Sequence, residues 1–311
     1  ESVYATVFKG FALDLSQTEL ARLRSSPLVD FIEVNSTTQK FQHCETAAFD
    51  LKNQQLSYGA RRVGVKTGVG KRVWILDTGV DYMHPDLTVD SALSRNFVNN
   101  PLGIRNEKAT DEDGHGTHVS GIIAAKNNNI GTLGISFGAQ IIAIKVLNAT
   151  GSGSASDLLS GLEYIVLNAK ANEVVNVSLG SASNSLVNLA FENAAQGGLL
   201  FAIAAGNDSK NASAYSPASA QGANIYTLSA IDANDRFAFF SNFGNPPIEF
   251  AEPGVNINST WIKGTYKTLS GTSMAAPHFA GILLNVGKNF KTSGTAQNDP
   301  DGSPDLIAVN E

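Results

Sequence analysis

From residue 71 onward, short apolar runs alternate with segments of helix length, and this alternation restricts the chain to few architectures. Residues 71–76 form an apolar strand ending at Asp77. Residues 140–147, 173–179, 199–205 and 224–230 read as further strands. Between them lie a helix opened by His115, with Val119, Ile122 and Ile123 on one face, and a helix capped by Ser156. The latter carries Leu158, Leu159, Leu162, Ile165, Val166 and Ala169 on its apolar side, and residues 185–196 form another helix. Strands that are apolar on both faces must be covered on both faces. The pattern therefore predicts an α/β fold with a mostly parallel sheet flanked by helices. Ligand sites in such sheets lie outside the carboxyl ends of the strands. Asp77, Ser178-Leu179-Gly180 and Ala205-Gly206-Asn207 fall there.

The first 41 residues read differently. Residues 4–8 alternate like a strand, Ser16 and Glu19 form a capping box for a helix through Arg24, and residues 29–34 alternate again. This is a small α+β piece, followed by an irregular linker over residues 42–57. Residues 151–154 read as a flexible turn, and residues 291–302, rich in Gly, Ser, Asn and Asp, as a surface loop. A net charge of −6 with scattered Lys and Arg gives no support for a nucleic-acid partner. No apolar run approaches the length of a membrane span. Cys44 is the only cysteine, which excludes an intrachain disulfide and a cysteine zinc cluster.

Three short motifs carry chemistry. Asp77 ends its strand in Ile75-Leu76-Asp77-Thr78-Gly79, where a lone carboxylate is more often a turn former. His115 stands in Asp113-Gly114-His115-Gly116-Thr117-His118, without the Glu or Cys spacing of a zinc site. Ser273 stands in Gly271-Thr272-Ser273-Met274-Ala275-Ala276-Pro277, at the start of a run of small residues that can pack as a buried helix. Alone it would be read as an N-cap. At a helix start, however, free N–H groups and the helix dipole favour a developing oxyanion.

Taken together, in this order and context, the three segments resemble the signatures of subtilisin-like serine proteases (subtilases), over nearly all of residues 1–290. The resemblance implies a three-layer subtilisin-like fold spanning residues 42–311, preceded by a partial propeptide over residues 1–41. It implies that Ser273 attacks the peptide carbonyl, His115 moves the proton, and Asp77 orients His115. Asn207 would join the Ser273 N–H in the oxyanion hole. Ser178-Leu179-Gly180 and Ala205-Gly206 would wall the primary pocket, small enough to admit large apolar or aromatic side chains, with Asp208 adding tolerance for basic ones. Gly151-Ser152-Gly153 would pair with an extended substrate, and the small Ala155 would leave a more distant pocket open.

The same resemblance implies a structural Ca²⁺. Side chains of Gln54, Asp86 and Asn128 and carbonyls of Lys126, Ile130 and Thr132 would supply its oxygen shell. It further implies a secreted, monomeric zymogen, inhibited by its own propeptide until self-cleavage after Phe41, and acting on protein or peptide substrates. His84, His118 and His278 are expected to be structural, and His43 to lie at the surface. An α/β-hydrolase esterase is disfavoured because that fold orders its triad Ser…Asp…His. A catalytically silent subtilase-like binding protein is the remaining alternative, disfavoured by the intact Asp77, His115, Ser273 and Asn207.

Overall fold

The computed structural model describes residues 2–46, 48, 53–99 and 107–311. Its centre is a nine-stranded sheet. In chain order the strands are β1 (Arg72–Asp77), β2 (Arg95–Asn96), β3 (Gln140–Lys145), β4 (Val174–Val177) and β5 (Leu200–Ala204). They continue with β6 (Ile225–Ile231), β7 (Ile248–Pro253), β8 (Lys291–Thr295) and β9 (Leu306–Val309). The spatial order is β8-β9-β7-β6-β5-β4-β1-β3-β2, and every pairing is parallel except β8 with β9.

The α-helices among the described residues are α1 (Gln17–Arg24), α2 (Tyr58–Val63), α3 (His115–Ala124), α4 (Ala155–Asn168), α5 (Ser185–Gln196) and α6 (Thr272–Val286). Side chains alternate across each strand. Val73 and Ile75 of β1 therefore join Val119 and Ile123 of α3 and Met274 and Phe279 of α6 in one core. Trp74 and Leu76 join Leu158 and Leu162 of α4 and Val187 and Phe191 of α5 in the other. The result is the expected three-layer arrangement of helices, sheet and helices.

Several local expectations differ from the structure. The α1 capping box forms as expected, yet residues 29–34 make no strand. Thr37–Lys40 is the strand instead, because a strand needs open edges to bond with. It finds two, antiparallel to Ser152–Ser154 on one side and to Leu179–Ala182 on the other. Residues 151–154 are thus a strand where a flexible turn was expected. The cap of α4 is Ser154 with Asp157 as its capping-box partner, so Ser156 lies inside the first turn. Lys291–Thr295, expected in a loop, is the antiparallel edge strand β8. Within the expected linker, Cys44–Glu45 pairs with Thr265–Ser270; residues 47 and 49–52 of that linker lie outside the described residues.

The amino-terminal piece is a hairpin of Ser2–Tyr4 with Gly10–Ala12, followed by α1. Tyr4 and Val7 are buried in the core that holds α4 and α5. Glu163 of α4 accepts the N–H groups of Ala5, Thr6 and Val7, and Asn193 of α5 donates to the Val7 carbonyl.

Candidate active site

The strand ends deliver the side chains. Asp77 closes β1 and is fully buried, and His115 begins α3. Their contact is bidentate, with His115 Nδ1 2.8 Å and 3.0 Å from the two Asp77 oxygens. Asp77 Oδ1 also accepts the Thr78 N–H at 2.7 Å. Two fixed donors on one carboxylate leave the imidazole a single orientation and direct Nε2 away from Asp77. Asp111, for which the sequence offered no reading, joins the two elements. It accepts Thr78 Oγ1 and the Gly114 N–H on one oxygen, and the N–H and hydroxyl of Thr117 on the other. Burial pushes its carboxyl up, against the pull of those hydrogen bonds.

Ser273 lies in the first turn of α6 and is fully buried. Pro277, inside the same helix, has no N–H for the Ser273 carbonyl four residues back. Ser178 Oγ fills that role, donating to Ser273 O at 3.1 Å. In return, the Ser273 hydroxyl donates to the Ser178 carbonyl at 2.9 Å. His115 Nε2 is buried with no hydrogen-bond partner among the described residues, so the Asp77–His115 pair is assembled while the serine hydroxyl faces Ser178.

What fills the space in front of Ser273 is the chain itself. The Phe41 carbonyl accepts the Ser273 N–H at 3.3 Å. Asn207 Oδ1 is held by the N–H and hydroxyl of Thr272, which leaves its Nδ2 buried and unpartnered among the described residues. A Cβ on Gly271 would lie 2.6 Å from the Phe41 oxygen and 3.1 Å from Asn207 Nδ2. Gly271 therefore makes room for both, and the carbonyl oxygen sits beside the asparagine amide.

The approach of Phe41 follows from the strand before it. Lys40 N–H donates to Gly151 O at 3.1 Å and Phe41 N–H to Ser178 O at 3.2 Å. Gln39, Thr38 and Thr37 pair with Ser152, Gly153 and Ser154. The Phe41 ring is buried; a Cβ on Gly180 would come within 2.4 Å of it and one on Gly206 within 3.6 Å. Tyr215 packs edge-on at 6.4 Å, a contact the sequence did not indicate. Burial, then the nearby Asp208, push its hydroxyl up to about 12.

Two expected wall residues act differently. The Leu179 side chain belongs to the α4–α5 core, so Leu179 offers only its backbone, which pairs with Lys40. Ala205 packs with Ala212 and Ile248. Ala155 lies in the core cluster that holds α4 and α5, and Thr38, three residues before Phe41, is fully buried.

Beyond Phe41 the chain stays in the cleft. The His43 N–H donates to Ser270 O at 2.7 Å, and its ring stacks on Phe240 at 4.4 Å. Cys44 and Glu45 then pair with Ser270 and Leu269. The Phe41–Gln42 bond thus lies between two antiparallel ladders.

The residues expected at a cation site also gather. Gln54 Nε2 donates to the carbonyls of Lys126 at 2.6 Å and Thr132 at 3.1 Å. Asp86 Oδ2 accepts the Thr132 N–H and the Tyr266 hydroxyl, while Asp86 Oδ1 is buried with no hydrogen-bond partner among the described residues. Burial pushes the Asp86 carboxyl up. The Asn128 side chain caps the Ile130 N–H. Among the described residues no group of three or more His, Cys, Asp or Glu is arranged to hold a metal. His84, His118 and His278 are buried and hydrogen-bonded to backbone groups, in keeping with structural roles.

A mostly parallel sheet between two helical layers thus carries a buried Asp–His pair and a helix-start serine whose N–H meets a peptide carbonyl. Comparison with known proteins gives the family. Residues 68–298 match the Subtilase family model. A thermostable alkaline protease of Halalkalibacterium halodurans is 39% identical over 278 residues, covering 89% of this chain and 72% of that protein. Proteinase R of Parengyodontium album is 35% identical over 93% of this chain and 73% of its own length. A crystal structure of a cold-adapted subtilisin-like serine proteinase superposes with a TM-score of 0.71 at 27% identity, over 82% of this chain and 98% of that one. The chain belongs to the subtilase family of serine proteases, hydrolases that act on protein or peptide substrates.

Proposed function

We propose that this chain is an endopeptidase zymogen whose own residues 37–41 occupy the substrate cleft, with Phe41–Gln42 as the first bond cut. The carrying observation is the Phe41 carbonyl against the Ser273 N–H, at the end of a strand hydrogen-bonded on both edges. In this reading Ser273 Oγ turns from Ser178 to His115 Nε2, gives up its proton there, and bonds to the Phe41 carbonyl carbon. The oxygen that becomes negative is held by the Ser273 N–H and Asn207 Nδ2. His115 then passes the proton to the Gln42 nitrogen, the C–N bond breaks, and water releases the acyl group by the same steps in reverse. Asp77 holds the imidazole and stabilises its charged form.

The buried Phe41 ring between Gly180, Gly206 and Tyr215 supports a preference for large apolar or aromatic residues at P1, the residue that supplies the scissile carbonyl. The contacts of Glu163, Asn193 and the buried Tyr4 and Val7 support residues 1–41 as an inhibitory propeptide docked on α4 and α5. The unpartnered Asp86 oxygen, beside the carbonyls of Lys126 and Thr132 that Gln54 gathers, supports a hard cation such as Ca²⁺, which Gln54, with its amide turned to present the oxygen, would hold together with Asp86, Asn128, Lys126, Ile130 and Thr132. Such an ion would tie the segment before α2 to the loop after α3. We further infer that the enzyme works as a secreted monomer, in line with relatives named as alkaline and cuticle-degrading proteases.

Intact-mass analysis of the purified full chain tests the reading. The active protein should yield a fragment beginning at Gln42, and Ser273→Ala should stay whole. A new terminus outside residues 36–53, or cutting that persists in Ser273→Ala, would overturn it.

A further inference from the structure

We infer that Asp113 makes this protease selective for a basic residue at P2, the position just before the one that supplies the scissile carbonyl. The inference rests on the proposed placement of Phe41 at P1, which makes Lys40 the P2 residue. Lys40 Nζ lies 2.7 Å and 2.8 Å from the two oxygens of Asp113. The pair is largely shielded, with the lysine side chain 21% and the aspartate side chain 9% exposed. Asp113 is not free to wander. Its Oδ1 accepts the His115 N–H at 3.1 Å, and its own N–H is held by Asp111.

The stem of Lys40 has a fitted path as well. Gly151 is at φ +72°, and a Cβ there would come within 2.6–2.9 Å of Lys40 Cγ, Cδ and Cε. A slot of backbone on one side and a fixed carboxylate at its end fits a long cationic side chain. It leaves a short neutral residue unable to reach Asp113, and it repels a carboxylate. Glu112, next in the chain, is exposed and 3.6 Å from Lys145, so it adds no second carboxylate to the slot.

A charge-assisted, two-oxygen contact that is partly shielded should favour Lys over Ala at P2 by about tenfold in kcat/KM. The test uses the self-processed enzyme and chromogenic peptides that share Phe at P1 and differ at P2 as Lys, Arg, Ala or Glu. The expected order is Lys and Arg above Ala above Glu, with the Lys-to-Ala ratio shrinking as salt rises. Asp113→Asn keeps an acceptor for the His115 N–H, and its Lys-to-Ala ratio should fall to about one, whatever happens to its absolute rate. Cleavage of all four peptides at equal rates by the parent enzyme would overturn the role of Asp113. So would an unchanged ratio in Asp113→Asn. Failure to cleave any peptide after Phe would instead count against the placement of Phe41 at P1, so the two failures are distinguishable.

Discussion

Asp111 sets the relation between β1 and α3 more than either member of the Asp77–His115 pair does. Its five accepted bonds, from Thr78, Asp113, Gly114 and Thr117, span both elements. Asp111→Asn can keep one oxygen, but it turns a donor toward the Thr117 N–H and hydroxyl. Leaving buried donors without an acceptor costs about 1–3 kcal/mol. We expect that loss in chemical denaturation in a Ser273→Ala background, and a fall in kcat of the active enzyme larger than any rise in KM. Unchanged stability would show that the Thr117 groups find other partners. Asn207→Ala tests a different atom. Its Nδ2 is unpartnered among the described residues, and the proposed mechanism gives it the oxyanion, so kcat should fall by about 10²–10³, the loss known for the oxyanion asparagine of subtilisin, while KM stays nearly constant. The segments that hold Asp77, His115, Ser273 and Asn207 were legible as candidates because each is a short local motif, while their roles rest on the proposed function. Asp111 and Asp113 were not, because their partners are Thr78, 33 positions away, and Lys40, 73 positions away.

Among the elements, α6 couples Ser273 to the sheet. A proline six positions into a buried helix would normally leave a carbonyl unsatisfied. Here the gap at Ser273 O is closed by Ser178, just after β4, and the Ser273 hydroxyl answers with the reverse bond. Ser178→Ala removes the donor and keeps the Ser178 carbonyl. It should destabilise the protein by about 1–3 kcal/mol, as an orphaned buried acceptor does. The check is thermal or urea unfolding of the variant, again without the nucleophile, and no loss would mean that another group reaches Ser273 O. The long strands and helices were legible because burial imposes a regular period on their residues. The cleft strands were not. Thr37–Lys40 and Ser152–Ser154 are short and polar, and only the pairing of Thr37–Lys40 with Ser152–Ser154 on one side and Leu179–Ala182 on the other makes them strands. The β8 edge is wholly exposed and carries no apolar period at all.

Over the whole molecule, two dispersed sites tie distant parts of the chain together. If a cation joins Gln54 to the 126–132 loop, chelation with EGTA should lower the melting temperature, and Asp86→Asn should abolish the difference between chelated and calcium-loaded protein. A melting temperature indifferent to calcium would reject the site. The second tie is Asp305, at the entrance to β9, whose Oδ2 accepts the Ser229 hydroxyl of β6 at 2.5 Å. Burial, then the neighbouring Asp299 and Asp301, push its carboxyl up to about 7, from an ordinary value of 3.8. Between those two values the folded protein keeps a proton that the unfolded chain gives up. Stability from this group is therefore complete at low pH and declines as pH rises toward 7. Buried His118 and His278, lowered to about 3 and about 4, act in the opposite sense between their folded values and 6.5. A comparison with Asp305→Asn cancels them, because both proteins carry the same histidines. In a Ser273→Ala background, the unfolding free energy of the parent minus that of Asp305→Asn should fall from pH 4 to 7. The slope should approach about 1.4 kcal/mol per pH unit and flatten above. A difference that is constant with pH would mean that Asp305 titrates alike in both states, and one that rises would mean that the carboxylate, not the acid, is what Ser229 holds.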